Sequence, residues 1–282
     1  MAEVVTESAR AKINPFLRVL GRRDDGYHEI ETLVLPITLA DGVQAVASDD
    51  LRLTVVGERA EQVPLGEENL VLRAARALQD KSGHTGGAQL LLSKRIPVAA
   101  GLGGGSADAA ATLRALDRLW DCGLEVEGLV EVAAEVGSDV PALLFDGPVI
   151  ARGRGEIVER IHLPRTWWVL LTSEEGIRTA DTYARWDATR VSGESNVKDL
   201  IRPLARREFD RIGPLLANDL EGSVAEHRAD VGGAKSRLLA QGALGAVMSG
   251  SGPTVAGLAR DGSHAEKLAT AVGGMAVASV GR

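Results

Sequence analysis

The chain has 282 residues, 45% hydrophobic and 25% charged, with a formal net charge of −7 and one cysteine. That length buries a sizeable core and sits at the boundary between one large domain and two smaller ones. The acidic balance excludes a general nucleic-acid binder, which needs a basic face, and the single Cys122 excludes an internal disulfide framework and fits a reducing cytosol. The start, Met1 to Arg10, carries Glu3, Glu7 and Arg10 and has no apolar core, so no signal peptide is expected. The longest charge-free run, Ala240 to Ala259, holds five glycines and Pro253, which rules out a comfortable membrane helix. A soluble cytoplasmic protein is expected.

In chain order, Ala11 to Leu20 reads as a strand interrupted at Asn14-Pro15, followed by a polar turn, Arg22 to Gly26, whose Asp-Gly pair favours a hairpin. The return strand, Ile30 to Leu39, carries Tyr27 and His28 at its mouth, and short β-runs follow at Val43 to Ala47 and Leu51 to Val56. Glu68 to Lys81 shows one apolar stripe at helical spacing (Leu70, Val71, Ala74, Ala75, Leu78). A strand at Leu90 to Leu92 leads into the glycine-rich stretch, and a helical pattern runs from Ser106 to Trp120 with Ser106 expected as its cap. A second helix, Val126 to Val136, stops at Gly137; Ser138-Asp139-Val140-Pro141 reopens a short one, and Gly147 to Ile161 reads as a β-hairpin. After a composition shift at Leu163-Pro164 come a strand (Trp167 to Thr172) and helical stretches at Thr179 to Asp187, Val197 to Ile201 and Glu208 to Asn218. A helix from Ala234 to Ala240, a strand at Leu244 to Met248 and a second glycine turn (Ser249 to Pro253) precede a strand, a helix and a last strand. Strands and helices alternate without a regular βαβ rhythm, so the fold class is α+β, with domains expected at 1–162 and 163–282.

The most informative stretch is Pro97 to Ala110, with four glycines in five residues ahead of a helix. Glycine lets backbone N–H groups approach a ligand, and a helix N-terminus adds free donors and the positive end of a dipole. That combination suits phosphate; a flexible capped turn is the plain alternative. A P-loop needs Lys-Ser or Lys-Thr after the last glycine, whereas Ser106-Ala107 follow Gly105. A dinucleotide fingerprint needs Gly or Ala at the position of Ser106. Neither motif is present, which disfavours an oxidoreductase and leaves a third kind of nucleotide cradle.

Three segments together, Ala11-Lys12-Ile13-Asn14, the Pro97 to Ala110 loop and Met248 to Thr254, resemble the GHMP small-molecule kinases. Gly21 to Glu29 and Gly137 to Pro141 add a resemblance to the branch whose alcohol substrate carries a cytidine diphosphate, in non-mevalonate isoprenoid precursor synthesis. The resemblance implies a two-domain fold with ATP and substrate meeting in the cleft between domains, ATP and Mg2+ as cofactors, and no assigned protein ligand for the metal. It implies Lys12 and Asp139 as the catalytic pair. It implies that Pro97, Val98, Ala99, Ala100, Gly101, Leu102, Gly103, Gly104, Gly105, Ser106 and Ala107 wrap the phosphates, with Asn69 and Lys94 also on the nucleotide. Asn14, Tyr27 and His28 then line the cytidine-bearing substrate's site, and Thr179 and Tyr183 face them. The sequence departs from the family's pattern at Ala107, where a serine is common, at Pro15, and at Ala142-Leu143.

Phosphoryl transfer needs positioning, positive charge and a base for the hydroxyl proton, which a carboxylate and an ammonium supply together. Asp139 capping the helix at Pro141 and Lys12 as a solvated strand residue are the plain alternatives. Tyr27 and Tyr183 are the two tyrosines of the chain, at positions expected to stack on a base. A kinase of homoserine or mevalonate type, and a non-catalytic binding protein keeping the fold, are the other readings; no nucleic-acid or membrane partner is expected, and the oligomeric state stays open.

Overall fold

The computed structural model describes residues 3–281; Met1 and Ala2 of the N-terminal stretch considered above, and Arg282, lie outside the described residues. In chain order it contains β1 (Val4–Arg22), β2 (His28–Ser48), β3 (Arg52–Val56), α1 (Leu70–Ser82), β4 (Gly87–Ser93), α2 (Gly104–Leu119), α3 (Val126–Val136) and α4 (Val140–Leu143). There follow β5 (Val149–Gly153), β6 (Ile157–Arg160), β7 (Trp167–Leu171), α5 (Thr179–Thr189), α6 (Val197–Arg206), α7 (Phe209–Ile212), β8 (Ala217–Asn218), α8 (Glu221–Ala225) and α9 (Ala229–Ala240). The chain closes with β9 (Ala246–Met248), β10 (Val255–Ala259), α10 (Gly262–Val272) and β11 (Met275–Ala278). The fold is α+β, and among the described residues no helix is long and apolar enough to cross a membrane.

By contacts the chain divides into two compact units that interleave along the sequence instead of separating near residue 162. The first gathers Met1–Ala11, Leu39–Val98 and Gly103–Phe145; the second gathers Lys12–Thr38, Ala99–Leu102 and Asp146–Arg282. A composition shift at Leu163-Pro164 marks a change along the chain, whereas compactness follows strand pairing, which ignores sequence order.

In the first unit, β4 pairs antiparallel with Gly42–Ser48 of β2 and parallel with β3. Helix α1 packs on α2 and α3. Val71, Ala74, Ala75 and Leu78 of the expected stripe are buried on α1, and the small Ala107, Ala109, Ala110 and Ala111 are buried on α2. Small side chains there allow close helix approach without voids. Asn69 caps α1 through Oδ1, which accepts from Val71 N at 2.8 Å, and Gly83 ends it in the left-handed region at φ 71°. The start of α2 differs from expectation. Gly103, at φ 68°, is the capping position and makes no side-chain bond, so Ser106 lies inside the first turn.

In the second unit, Ile30–Val34 of β2 pair with β5, which continues into the β5–β6 hairpin. A separate sheet runs in the order β11-β7-β10-β9. Its core includes Val169, Leu171, Met248, Val255, Leu268 and Val272. Two readings are corrected here. The runs Ile30 to Leu39 and Val43 to Ala47 are one continuous strand, β2. The helix expected over 208–218 is only the turn α7; Gly213 then approaches the backbone so closely that a Cβ there would lie 1.9 Å from Leu244 O, and the chain leaves as β8 beside Phe16 and Leu17 of β1. Local helical spacing yields to a tertiary backbone contact.

Candidate active site

The glycine-rich stretch belongs to both units in turn: Pro97 and Val98 fall in the first, Ala99 to Leu102 in the second, and Gly103 onward in the first. Within the second unit every carbonyl from Ala99 to Leu102 is taken. Ile177 N donates to Ala99 O at 3.0 Å, Thr254 N to Ala100 O at 3.3 Å, and Lys12 N to Leu102 O at 2.9 Å. Gly101 O accepts from Lys12 Nζ at 2.8 Å and from Ser249 Oγ at 3.0 Å. The amides behave differently. Val98 and Ala99 form a turn, and from Gly101 to Ser106 no backbone N–H makes a hydrogen bond among the described residues. Backbone donors in folded proteins are nearly always satisfied, and consecutive free donors at a helix start are the pattern that suits an anion. The backbone is bent to suit: Ala99, Gly101 and Gly103 all have positive φ, at 53°, 76° and 68°.

Lys12 is buried and held at its tip. Besides Gly101 O, its Nζ donates to Asn14 Oδ1 at 2.6 Å. Asn14 is fixed in turn, donating Nδ2 to Thr32 Oγ1 at 2.8 Å and its backbone N to Ser249 Oγ at 3.2 Å. Thr32 Oγ1 donates to Phe16 O at 2.6 Å. Gly250 (φ 54°) lays bare backbone on this knot; a Cβ there would sit 2.7 Å from Lys12 Nζ. Asn218 holds that turn by donating to Met248 O and Gly250 O, both at 2.8 Å. Thr32 and Asn218 were not singled out by sequence, and nothing local to either signals the role.

Asp139 stands at the capping position of α4, yet its exposed side chain makes no capping hydrogen bond. The capping alternative therefore fails for this residue. Asn69 is buried and engaged at both ends of its amide, with Nδ2 donating to Pro64 O at 2.5 Å while Oδ1 caps α1. Lys94 is buried between two carboxylates, donating to Asp41 Oδ2 and, at 2.8 Å, to Asp108 Oδ2. Asp41 Oδ1 accepts in addition from the backbone N of Arg95 and Ile96, at 2.5 and 2.8 Å. Burial pushes the Asp108 carboxyl up to about 7 against the opposing pull of Lys94. The ammonium lies under the first turn of α2, 3.1 Å from where a Cβ on Gly104 would be. Neither Asp41 nor Asp108 was singled out by sequence; their partner is 53 and 14 positions away.

In the second unit, His28 and Tyr183 meet directly, rings stacked with centroids 4.6 Å apart and planes 24° from parallel. Tyr27 is 49% exposed, and the Arg154 guanidinium covers one face of its ring at 5.0 Å. Thr179, exposed at the start of α5, shares a hydrogen bond with Ser251 Oγ at 3.1 Å. One face of each tyrosine is thus already covered by a protein side chain.

Residues 69–147 match the model of the GHMP kinases N terminal domain, and residues 200–277 that of the GHMP kinases C terminal domain. The chain is similar to a 4-diphosphocytidyl-2-C-methyl-D-erythritol kinase of Pelotomaculum thermopropionicum, 42% identical over 94% of this chain and 93% of that protein. It is likewise similar to the enzyme of that name from Moorella thermoacetica, 43% identical over 95% of this chain and 94% of the relative. A crystal structure of 4-(cytidine 5'-diphospho)-2C-methyl-D-erythritol kinase superposes with a TM-score of 0.83 at 35% identity, covering 98% of this chain and 99% of that one.

Proposed function

The chain belongs to the 4-diphosphocytidyl-2-C-methyl-D-erythritol kinase family of the GHMP kinases, and from that membership we propose that it transfers the terminal phosphoryl group of ATP to the 2-hydroxyl of 4-diphosphocytidyl-2-C-methyl-D-erythritol. The observation that carries the phosphate half of this reading is the row of amides from Gly101 to Ser106 that make no hydrogen bond among the described residues. N–H groups at a helix start bind phosphate oxygens, and the four carbonyls from Ala99 to Leu102 are each held by a hydrogen bond within the second unit.

Phosphoryl transfer asks for positioning and for neutralisation of charge on the transferring group. In this reading the Lys12 ammonium, held by Asn14 Oδ1 and Gly101 O, supplies a fixed positive charge. The Asp139 carboxylate takes the proton of the attacking hydroxyl, a role its lack of any capping bond leaves open to it. Tyr27, His28, Thr179 and Tyr183 hold the cytidine end, and Asn14 acts on the substrate chiefly through Lys12. Mg2+ accompanies the nucleotide. When bound, it would neutralise charge on the phosphates; among the described residues no group of three or more His, Cys, Asp or Glu could hold a metal ion. A cytoplasmic place in isoprenoid precursor synthesis completes the proposal.

The test is an assay of ADP release with the cytidine diphosphate substrate, mevalonate and homoserine side by side. Turnover confined to the first supports the proposal, and preference for either of the others replaces it. Within that assay Asp139→Asn is expected to lower kcat by ~10²–10⁴ with both KM values near the parent's. A folded Asp139→Asn enzyme with near-parental kcat overturns the base assignment.

A further inference from the structure

Helix α5 presents Tyr183, Trp186 and Asp187 at spacings of three and four, which places them on one face. His28, at the start of β2, sits on that face. Its ring stacks on Tyr183, meets Trp186 edge-on with centroids 5.7 Å apart, and its Nε2 lies 2.9 Å from Asp187 Oδ1. The other carboxylate oxygen, Oδ2, lies 3.7 Å from Arg22 Nη1. The imidazole is therefore fixed in plane by two aromatic rings and in rotation by one hydrogen bond. Its remaining nitrogen, Nδ1, makes no hydrogen bond among the described residues.

We propose that Asp187 is a positioning residue that sets the base selectivity of the site: by holding the His28 proton on Nε2 it leaves Nδ1 as a hydrogen-bond acceptor, suited to the exocyclic amine of cytosine. The proposal rests on the cytidine-binding reading given above for His28. The chemistry follows from the donor inventory. An ionised carboxylate can only accept, so the shared proton belongs to Nε2, and a neutral imidazole with Nε2–H presents a lone pair at Nδ1. The His28 hydrogen bond is also the first cause holding the Asp187 carboxyl below its ordinary value, which keeps it an acceptor. Cytosine offers an amino group where uracil offers a carbonyl, so an acceptor at Nδ1 attracts one base and repels the other. Sites built around one hydrogen bond discriminate well against a partner that leaves it unmade.

The experiment measures binding of cytidine 5′-diphosphate and uridine 5′-diphosphate by calorimetry, together with 15N shifts of the His28 ring at pH 8. The parent is expected to prefer the cytidine ligand about tenfold to a hundredfold and to show Nε2 protonated and Nδ1 bare. Asp187→Asn keeps the shape but can offer either N–H or C=O to the ring, so the tautomer becomes mixed and the preference falls to about threefold or less. ATP affinity stays at the parental value, which a general structural defect would not allow. Asp187→Ala repeats the test without any amide. Equal binding of the two ligands by the parent, a protonated Nδ1, or full preference retained in Asp187→Asn overturns the proposal. Turnover is read separately, so a parent that binds the cytidine ligand selectively yet phosphorylates nothing refutes the proposed reaction and upholds the role of Asp187.

Discussion

Gly101→Ala tests whether the glycine loop is held from behind as tightly as its carbonyl bonds indicate. Gly101 has φ 76°, a left-handed conformation that costs an L-residue ~1–2 kcal/mol. The added Cβ would lie 2.2 Å from Ser249 O and 2.9 Å from both N and O of Gly252, all of them backbone atoms without rotamers to retreat into. Forcing a group into a packed site costs ~1–3 kcal/mol further, so the sum is about 2–5 kcal/mol. That is a large share of a typical ~5–15 kcal/mol total. Relief means moving Gly101, whose carbonyl accepts from Lys12 Nζ and Ser249 Oγ, so Lys12 shifts with it. Urea unfolding should report the stability loss and the ADP-release assay a fall in kcat beyond the unfolded fraction. Gly105→Ala is the control for the unfolding measurement. Its Cβ meets only Leu70 Cδ1, at 3.5 Å, inside a helical turn, and alanine there gains ~0.5–1 kcal/mol over glycine. A Gly101→Ala protein within 1 kcal/mol of its parent would refute the clamped-loop argument.

Two further outcomes follow from the first unit. Asp108 titrates at about 7 when folded and near 3.8 when unfolded, so the stability linked to its protonated form is complete below pH 4 and is lost as pH rises to 7. Asp108→Asn should therefore gain stability relative to the parent as pH rises from 4 to 8; a difference in urea-unfolding free energy between variant and parent that is the same at pH 5 and pH 8 would contradict it. Asn69→Ala removes the cap on Val71 N and the bond to Pro64 O and should cost ~1–2 kcal/mol, whereas Asn69→Asp keeps the cap and loses less, as urea midpoints of the pair will show.

What the sequence disclosed is what repeats locally. The stripe on α1 and the glycine stretch declare themselves within a few turns of chain, and the structure keeps both. What it concealed depends on distant partners. Asn14 is bonded to Ser249, 235 positions away, and Lys12 Nζ to Gly101, 89 away. Lys94 was expected, by resemblance, on the nucleotide; its two buried carboxylates come from β2 and α2 and carry no local mark of the pairing. Ser106 was expected to cap α2 because serine usually does, but Gly103 reaches the left-handed conformation at no steric cost and starts the helix three residues earlier. The Tyr27 and Tyr183 rings were legible as aromatic faces, but Arg154 and His28, which cover one face of each, were not assigned there.

The same hydrogen bonds determine how variants at the proposed catalytic pair must be compared. Lys12 serves the loop twice, through its backbone N to Leu102 O and through Nζ to Gly101 O, and it holds Asn14 Oδ1 besides. Lys12→Met keeps the first bond and breaks the other two, leaving the buried Asn14 Oδ1 without this donor and Gly101 O with Ser249 Oγ alone. Its effect on kcat therefore mixes loss of positive charge with slackening of the row of amides that the carbonyls hold in place. Asp139 has no such second duty, since its side chain caps nothing. Asp139→Asn thus isolates proton transfer, and Lys12→Met does not. The two should be distinguishable in the KM for ATP, which the slackened loop raises in Lys12→Met and which Asp139→Asn leaves alone.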